Sequence, residues 1–374
     1  MAAASQAEQQ EIDRRFMAAA LRLSRKHSGL TSTNPSVGTL IVRDDGQGPV
    51  IVGRGVTAIG GRPHAETEAL AEASERARGA TAYVTLEPCA HHGRMPPCAN
   101  ALATAGVTRV VGAASDPDER VSGKGYAILR QAGIEVVERV LADEAADDMA
   151  GYLIRSLKKR PEVILKLALS QDGMIGRPGE GQVAITGEVS RRQVHMMRAG
   201  VDALLVGIGT VLADDPELTV RLPGLSSRSP ARIVLDRNAR LPLGSKLVRS
   251  AREVPLLVAT CAEADPRRKA ELERAGAKLL ATETYDGRIA LPELLEDLAA
   301  QGMSSVLVEG GAATAKYFLE EGLVDRIALF CGAVVIGEGG LVAPIDSAHM
   351  PPGFRLVREA TYGDDLFAEW IRES

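Results

Sequence analysis

Three side chains early in the chain could together hold a divalent metal: His64, which opens the segment His64-Ala65-Glu66, and the pair Cys89 and Cys98, separated by the insert AHHGRMPP. One neutral imidazole and two thiolates suit zinc, cancel its charge and leave the fourth tetrahedral position for water. An open position implies catalysis, because zinc brings the pKa of water down to about 7 and so makes hydroxide available near neutrality. Glu66 is too near His64 in sequence to be a comfortable fourth ligand, yet near enough to shuttle protons. A purely structural zinc is the competing reading, and it lacks a fourth good ligand. Cys261 and Cys331 stand alone in apolar runs and read as core thiols.

The elements around these groups follow from periodicity and breakers. Residues 11–28 read as an amphipathic helix, TLIVRDD and PVIVGRGV as paired strands, and 64–78 as a helix rich in strong helix formers. TAYVTLE is a strand that stops at Pro88, followed by a helix near 97–105, the strand TRVVGAA and a last helix and strand over 123–140. His64 therefore starts a helix and Cys89 ends a strand, and these placements agree with one site. The order H-x-E, then P-C and a second Cys, is that of zinc base deaminases, except that eight residues rather than two separate the cysteines.

The segment LADEAADDMAGYLIRSLKKRP reads as a helical connector, after which strands VILKLALS, VDALLVG, ARIVLD, VPLLVAT, AKLLA, SSVLVEGG and RIALFCG alternate with helices. That alternation predicts a second, largely parallel α/β sheet. The division expected is thus 1–150, a connector at 151–161, and 162–374. A length of 374 residues agrees with two cores at about 150 residues per domain.

With 45% apolar and 25% charged residues the composition is that of a soluble globular protein. A net charge of −5 with no basic block argues against a nucleic-acid partner. The longest apolar runs, Val201–Val206 and Ile327–Ile336, fall short of the roughly 18 residues a membrane span needs. No secretory signal is evident, so the cytoplasm is the compartment expected.

In the second half the residues suggest chemistry through glycine placement. A strand runs into Gly207 and Gly209, where backbone could approach a ligand closely, and another ends at Glu309-Gly310-Gly311 before a helix, a ready cradle for a pyrophosphate. Steric glycine at a strand-to-helix turn is the alternative for each pair. No G-x-G-x-x-G follows the first strand, so a standard Rossmann site is not supported.

TSTNPSVGTLIV, GRPHAETEAL, TLEPCAHHGRMPPCANAL and DPDERVSGKGYAILRQAGIEV resemble, in order and spacing, the deaminase half of the bifunctional deaminase/reductase family of riboflavin biosynthesis. KLALSQDGMI, ITGEVSRRQVHMMRAGVDALLVGIGTVLADDPELTVR, RIVLD and VLVEGGAATAKYFLE resemble its reductase half. The resemblance implies an N-terminal cytidine-deaminase-like α/β/α sandwich and a C-terminal α/β domain like dihydrofolate reductase. It implies zinc on His64, Cys89 and Cys98, Glu66 as general acid/base, and Asn34, His92 and Arg94 at the substrate. Arg94 is a plausible phosphate partner through its forked donors, with a solvated surface arginine as the alternative. Thr33 and Asp118 depart from the proline and asparagine usual in the family.

For the reductase half the resemblance implies NADPH as hydride donor, with Thr210 and Asp214 holding it, Ala168 beside the nicotinamide, and Gly310, Gly311, Ala312, Ala313, Thr314, Ala315 and Lys316 around the pyrophosphate. Arg198, Leu218, Arg221 and Glu309 face the substrate, and Lys166 belongs to the same set. Gln182 and Ala184 stand where the family often carries Ser-x-Trp, so Gln182 falls to the substrate and Ala184 to the cofactor without an aromatic contact. Asp172 lies in a matching motif, and Arg237 is a candidate for the cofactor's extra phosphate. The implied partner is a small phosphorylated pyrimidine, whose ribosylamino group is reduced to ribitylamino after deamination; self-association, frequent in the family, makes a homo-oligomer the expectation. The rival readings are a nucleoside or transfer-RNA deaminase fused to an unrelated reductase, and a zinc-stapled regulatory module.

Overall fold

In a computed structural model, which describes residues 6–91 and 96–373, the chain divides into two compact units, 1–158 and 159–374. The first unit begins with helix α1 (Gln6–Ser24), whose Phe16, Met17, Ala20 and Leu21 pack into the core. Its sheet is built from β1 (Gly38–Arg43), β2 (Val50–Val56), β3 (Thr81–Leu86), β4 (Arg109–Ala114) and β5 (Glu135–Val137) in the order β2-β1-β3-β4-β5. β1 is antiparallel to β2 and β3, whereas β3, β4 and β5 run parallel. Helices α2 (Ala65–Ala73), α3 (Cys98–Thr104) and α4 (Lys124–Gln131) connect these strands. The expected hairpin and alternation are therefore present.

Two glycines of β2 let α2 lie directly on the strand. A Cβ at Gly55 would stand 1.9 Å from the Ala65 carbonyl oxygen, and one at Gly53 would stand 2.2 Å from that of Ala69. β-carbon-free backbone thus sets the height at which His64 and Glu66 are delivered. Under the same sheet Asp13 takes both arms of Arg109, at 2.7 and 2.8 Å, and the Tyr83 hydroxyl at 2.9 Å.

The helical segment expected as a connector forms two helices, α5 (Ala142–Asp148) and α6 (Ala150–Lys158). Ala145 and Met149 are buried in the first core and Tyr152 and Leu153 pack against it, so residues 151–158 belong to the first unit. Its charge pattern records one wet face of a packed helix, which resembles that of a bare linker.

The second unit holds β6 (Glu162–Leu169), β7 (Ala203–Gly207), β8 (Ala231–Leu235), β9 (Leu256–Thr260), β10 (Lys278–Ala281), a small hairpin β11 (Thr284–Tyr285) and β12 (Arg288–Ile289), then β13 (Ser305–Val308), β14 (Arg326–Cys331), β15 (Phe354–Tyr362) and β16 (Asp365–Arg372). The main sheet has the order β10-β9-β8-β7-β13-β6-β14-β16-β15, parallel as far as β14 and closed by the antiparallel β16 and β15. Helices α7 (Glu188–Ala199), α8 (Ile208–Asp214), α9 (Lys246–Arg249), α10 (Pro266–Arg274), α11 (Leu291–Ala300) and α12 (Ala312–Glu320) flank it. Strands such as Ala203–Val206 are buried throughout, as a sheet covered on both faces requires. β6 alternates: Val163, Leu165, Leu167 and Leu169 are buried, while Ile164, Lys166 and Ala168 share a more open face.

Candidate active sites

In the first unit His64 sits as the residue before α2, with extended backbone, so its side chain leaves the helix start while Glu66 turns into the first helical turn. Cys89 follows the end of β3, and Cys98 opens α3. Pro88 and Cys89 are steadied by Glu87, whose carboxylate accepts the N–H groups of Gly123 and Gly125, both at 3.1 Å. The N–H of Cys98 donates to Cys89 Sγ at 3.2 Å.

The donor set fits a tetrahedral ion. His64 Nδ1 lies 3.8 Å from Cys89 Sγ and 3.4 Å from Cys98 Sγ, and the three donor atoms all lie within 4.8 Å of one another. Ligands at zinc–sulfur and zinc–nitrogen bond lengths stand about 3.5 Å apart along a tetrahedron's edge. Cys89 is pulled down to about 4, first by its hydrogen bond with Cys98, against burial and with help from His64; Cys98 is pushed up, first by Cys89 and then by burial. The hydrogen bond between the sulfurs favours one thiolate beside one thiol, and a cation binding there displaces the remaining proton. Glu66 is only 4% exposed, and its carboxyl is raised to about 7 by burial and then by the charge of Cys89. Such a group both takes and gives protons near neutrality.

A cleft of about 360 Å³ opens over His64, Glu66 and Cys89 and is also lined by Asn34, Arg62, His91, Asp116, Asp118, Arg120, Tyr152 and Arg155. Asn34 donates through Nδ2 to the Gly61 carbonyl at 2.8 Å, which fixes its amide in the wall. Asp118, where asparagine was expected, is clamped by Arg120 at 2.9 and 2.5 Å, and that hydrogen-bonded guanidinium holds its carboxyl down at about 2 against burial. His92 and Arg94 lie outside the described residues. Asp116 and Tyr152 carry no motif; the signal for Asp116 is its place two residues beyond the buried strand β4, where parallel strands present side chains to a ligand.

In the second unit β7 and β13 are neighbours, so the two glycine-bearing turns meet. Their glycines serve different ends. A Cβ at Gly207 would stand 2.4 Å from Thr314 Oγ1 and one at Gly310 would stand 2.6 Å from Thr314 Cβ, so that space is filled by the protein itself. Gly209 faces open space, with nothing within 4 Å of a built Cβ. Thr210 Oγ1 accepts the Gly311 N–H at 3.0 Å, tying the two turns together. Of the expected cradle, Ala312 and Ala313 sit in the first turn of α12, where helix geometry offers N–H groups to an anion, Ala315 turns into the core, and the exposed Lys316 pairs with Glu320 at 3.6 Å.

Arg198 and Glu309, each expected at the substrate, hold one another, and Arg198 also donates to the Thr219 carbonyl at 3.1 Å. Arg198 is thus buried and paired, whereas Arg221 stays largely exposed, with Glu217 at 3.1 Å. Lys166 is lowered by burial while Glu309 opposes the shift, and its ammonium lies 5.8 Å from the centre of the Phe330 ring. Leu218 is buried with a left-handed backbone, φ 53°. Asp214 ends α8 half-buried, its carboxyl raised by burial. Gln182 and Ala184 lie exposed on the segment before α7, and Ala168 sits on the open face of β6. Asp172 lashes two loops together, accepting from Ser170 at 2.6 Å and from the Ile336 and Gly337 N–H groups at 3.1 and 2.7 Å. Arg237 donates to the Gly287 carbonyl.

Comparison with known proteins agrees with both halves. Residues 10–114 match the cytidine and deoxycytidylate deaminase zinc-binding region, and residues 161–368 match the RibD C-terminal domain. The riboflavin biosynthesis protein RibD of Aquifex aeolicus is 39% identical over 95% of this chain and 97% of its own length. The chain belongs to the RibD family. RibD of Escherichia coli is likewise 39% identical, over 87% of this chain and 89% of its own. A solved RibD of Acinetobacter baumannii superposes with a TM-score of 0.82 at 36% identity, covering 97% of this chain and 99% of that one. A Thermotoga maritima structure described as a diaminohydroxyphosphoribosylaminopyrimidine deaminase/5-amino-6-(5-phosphoribosylamino)uracil reductase gives 0.83 at 33% identity, covering 97% and 99%. As in other RibD proteins, a zinc-binding deaminase domain precedes a reductase domain. Among the described residues no helix is long and apolar enough to cross a membrane.

Proposed function

We propose that this protein carries out two successive steps of riboflavin synthesis in the cytoplasm: hydrolytic deamination of 2,5-diamino-6-(5-phosphoribosylamino)pyrimidin-4(3H)-one in the unit ending at Lys158, then NADPH-dependent reduction of the ribosylamino group to ribitylamino in the unit beginning at Lys159. The observation that carries the first step is the convergence of His64, Cys89 and Cys98 at ligand spacing, with His64, Cys89 and the buried Glu66 lining one cleft. Zinc in that position supplies Lewis acidity and makes hydroxide available near neutral pH. Glu66 moves the protons: raised to about 7, it takes one from the attacking water and returns one to the departing amine. Asn34 and the insert residues His92 and Arg94 hold the substrate, Arg94 through its phosphate. The acidic net charge and a cleft of this volume suit a small molecule rather than a polynucleotide.

For the second step NADPH supplies the hydride, and the protein's part is placement. Thr210, Asp214, Ala168, Ala184 and the start of α12 from Gly310 to Lys316 are assigned to the cofactor; Lys166, Gln182, Leu218, Arg221 and the Arg198–Glu309 pair are assigned to the substrate. Glu309 holds Arg198 and offsets the charge of Lys166, so these cations are fixed before substrate arrives.

The test follows ammonia release from the diaminopyrimidinone and then loss of NADPH absorbance. Glu66→Gln abolishes ammonia release and leaves reduction of the deaminated compound intact. Full ammonia release by Glu66→Gln contradicts the assignment.

A further inference from the structure

One wall of the deaminase cleft comes from outside the matched zinc-binding region: Tyr152, Arg155 and Ser156 of α6 line it, whereas that match ends at residue 114. These positions share one face of a helix. The Tyr152 hydroxyl donates to Asp116 Oδ1 at 2.9 Å, and the Asp118 N–H donates to the same oxygen at 2.9 Å. Among the described residues Oδ2 takes no bond. Asp116 is only 6% exposed at the mouth of β4, and its other charged neighbours are Asp118 with its partner Arg120, and Cys89. Two donors on one oxygen fix the plane of a carboxylate and leave the second oxygen as an aimed acceptor. The same helix ties down the facing turn, where Arg155 donates to the Thr33 carbonyl beside Asn34.

We propose that Tyr152 is a positioning residue for the deamination: by holding Oδ1 of Asp116 it turns Oδ2 towards an N–H of the pyrimidine. This rests on the deaminase reading of the cleft. Helix α6 is then a working wall of the first site as well as the end of its unit, and the hydroxyl of Tyr152 acts through Asp116.

The experiment compares ammonia release by full-length, zinc-loaded wild type, Tyr152→Phe, Asp116→Asn and the double variant, with NADPH oxidation on the deaminated substrate as the folding control in each preparation. Phenylalanine keeps the ring's packing and removes only the donor. Tyr152→Phe raises KM for the diaminopyrimidinone about tenfold with kcat nearly unchanged. In the Asp116→Asn background the same change has almost no further effect, because a residue acting through another is non-additive with it. Where Asp116→Asn turns over too slowly for a KM, calorimetric binding of the deaminated product gives the same four-way comparison. A wild-type KM in Tyr152→Phe, or an equal effect in both backgrounds, overturns the inference alone. A wild-type protein that releases no ammonia overturns the deaminase reading and the inference with it.

Discussion

Arg198 closes a two-armed ion pair on Glu309, Nε to Oε1 at 2.6 Å and Nη2 to Oε2 at 2.9 Å, with the two side chains only 12% and 9% exposed. Glu309 directly follows β13, at the C-terminal edge of the parallel sheet where such folds bind their ligands, and Arg198 reaches it from the last turn of α7. Burial alone would raise the carboxyl of Glu309, but Arg198 and Lys166 together hold it below the ordinary carboxylate range.

A carboxylate lowered in the folded state contributes stability that is present above its unfolded pKa, about 4.3, and is lost as pH falls through the folded value. Glu309→Gln leaves Arg198 and Lys166 uncompensated in a buried setting, a loss of about 3–5 kcal/mol. Urea unfolding of the second unit at pH 7 shows the drop, and the gap from wild type narrows in acid. An unchanged midpoint at pH 7 contradicts the pairing.

Much of the zinc site could be read directly from the chain, because its residue types are rare, its spacing is fixed by one helix start and one strand end, and both boundaries are marked locally by His64 and Pro88. The partners assembled from afar could not be read in this way. Tyr152 reaches Asp116 across 36 residues and Arg198 reaches Glu309 across 111, and neither spacing carries a local pattern. The same holds for Gly207 and Gly310, where the turn was legible but the Thr314 side chain that fills the space was not. The closing hairpin β15-β16 escaped because a register shift between Leu356 and Arg358 breaks the two-residue alternation of β15, by which a half-buried strand announces itself.

The close seat of α2 on β2 ties the first fold to its chemistry. In Gly55→Ala the new methyl meets the Ala65 carbonyl oxygen, at 1.9 Å in the present backbone, so α2 must lift and carry His64 and Glu66 with it. Overpacking of this kind costs about 1–3 kcal/mol. The variant loses zinc affinity and ammonia release together while NADPH oxidation on the deaminated substrate persists. Undiminished zinc affinity, measured by competition with a chelator, contradicts the link.

Gly209 and Gly310 separate cofactor contact from packing. Gly209→Ala has room for its methyl and gains helix propensity of about 0.5–1 kcal/mol, so its melting temperature holds or rises while KM for NADPH increases. Gly310→Ala collides with Thr314 and lowers the melting temperature as well. A Gly209→Ala protein with an unchanged KM for NADPH removes that turn from the cofactor site.

His64 Nδ1 and two sulfurs are to hold one zinc ion with one position left for solvent. X-ray absorption at the zinc edge, on protein whose metal content has been counted, reads that ligand set. Wild type carries one zinc per chain with two sulfur and two lighter neighbours, and Cys98→Ser loses both metal and ammonia release. Metal-free wild-type protein that still releases ammonia, or a zinc enclosed by four protein ligands, contradicts it.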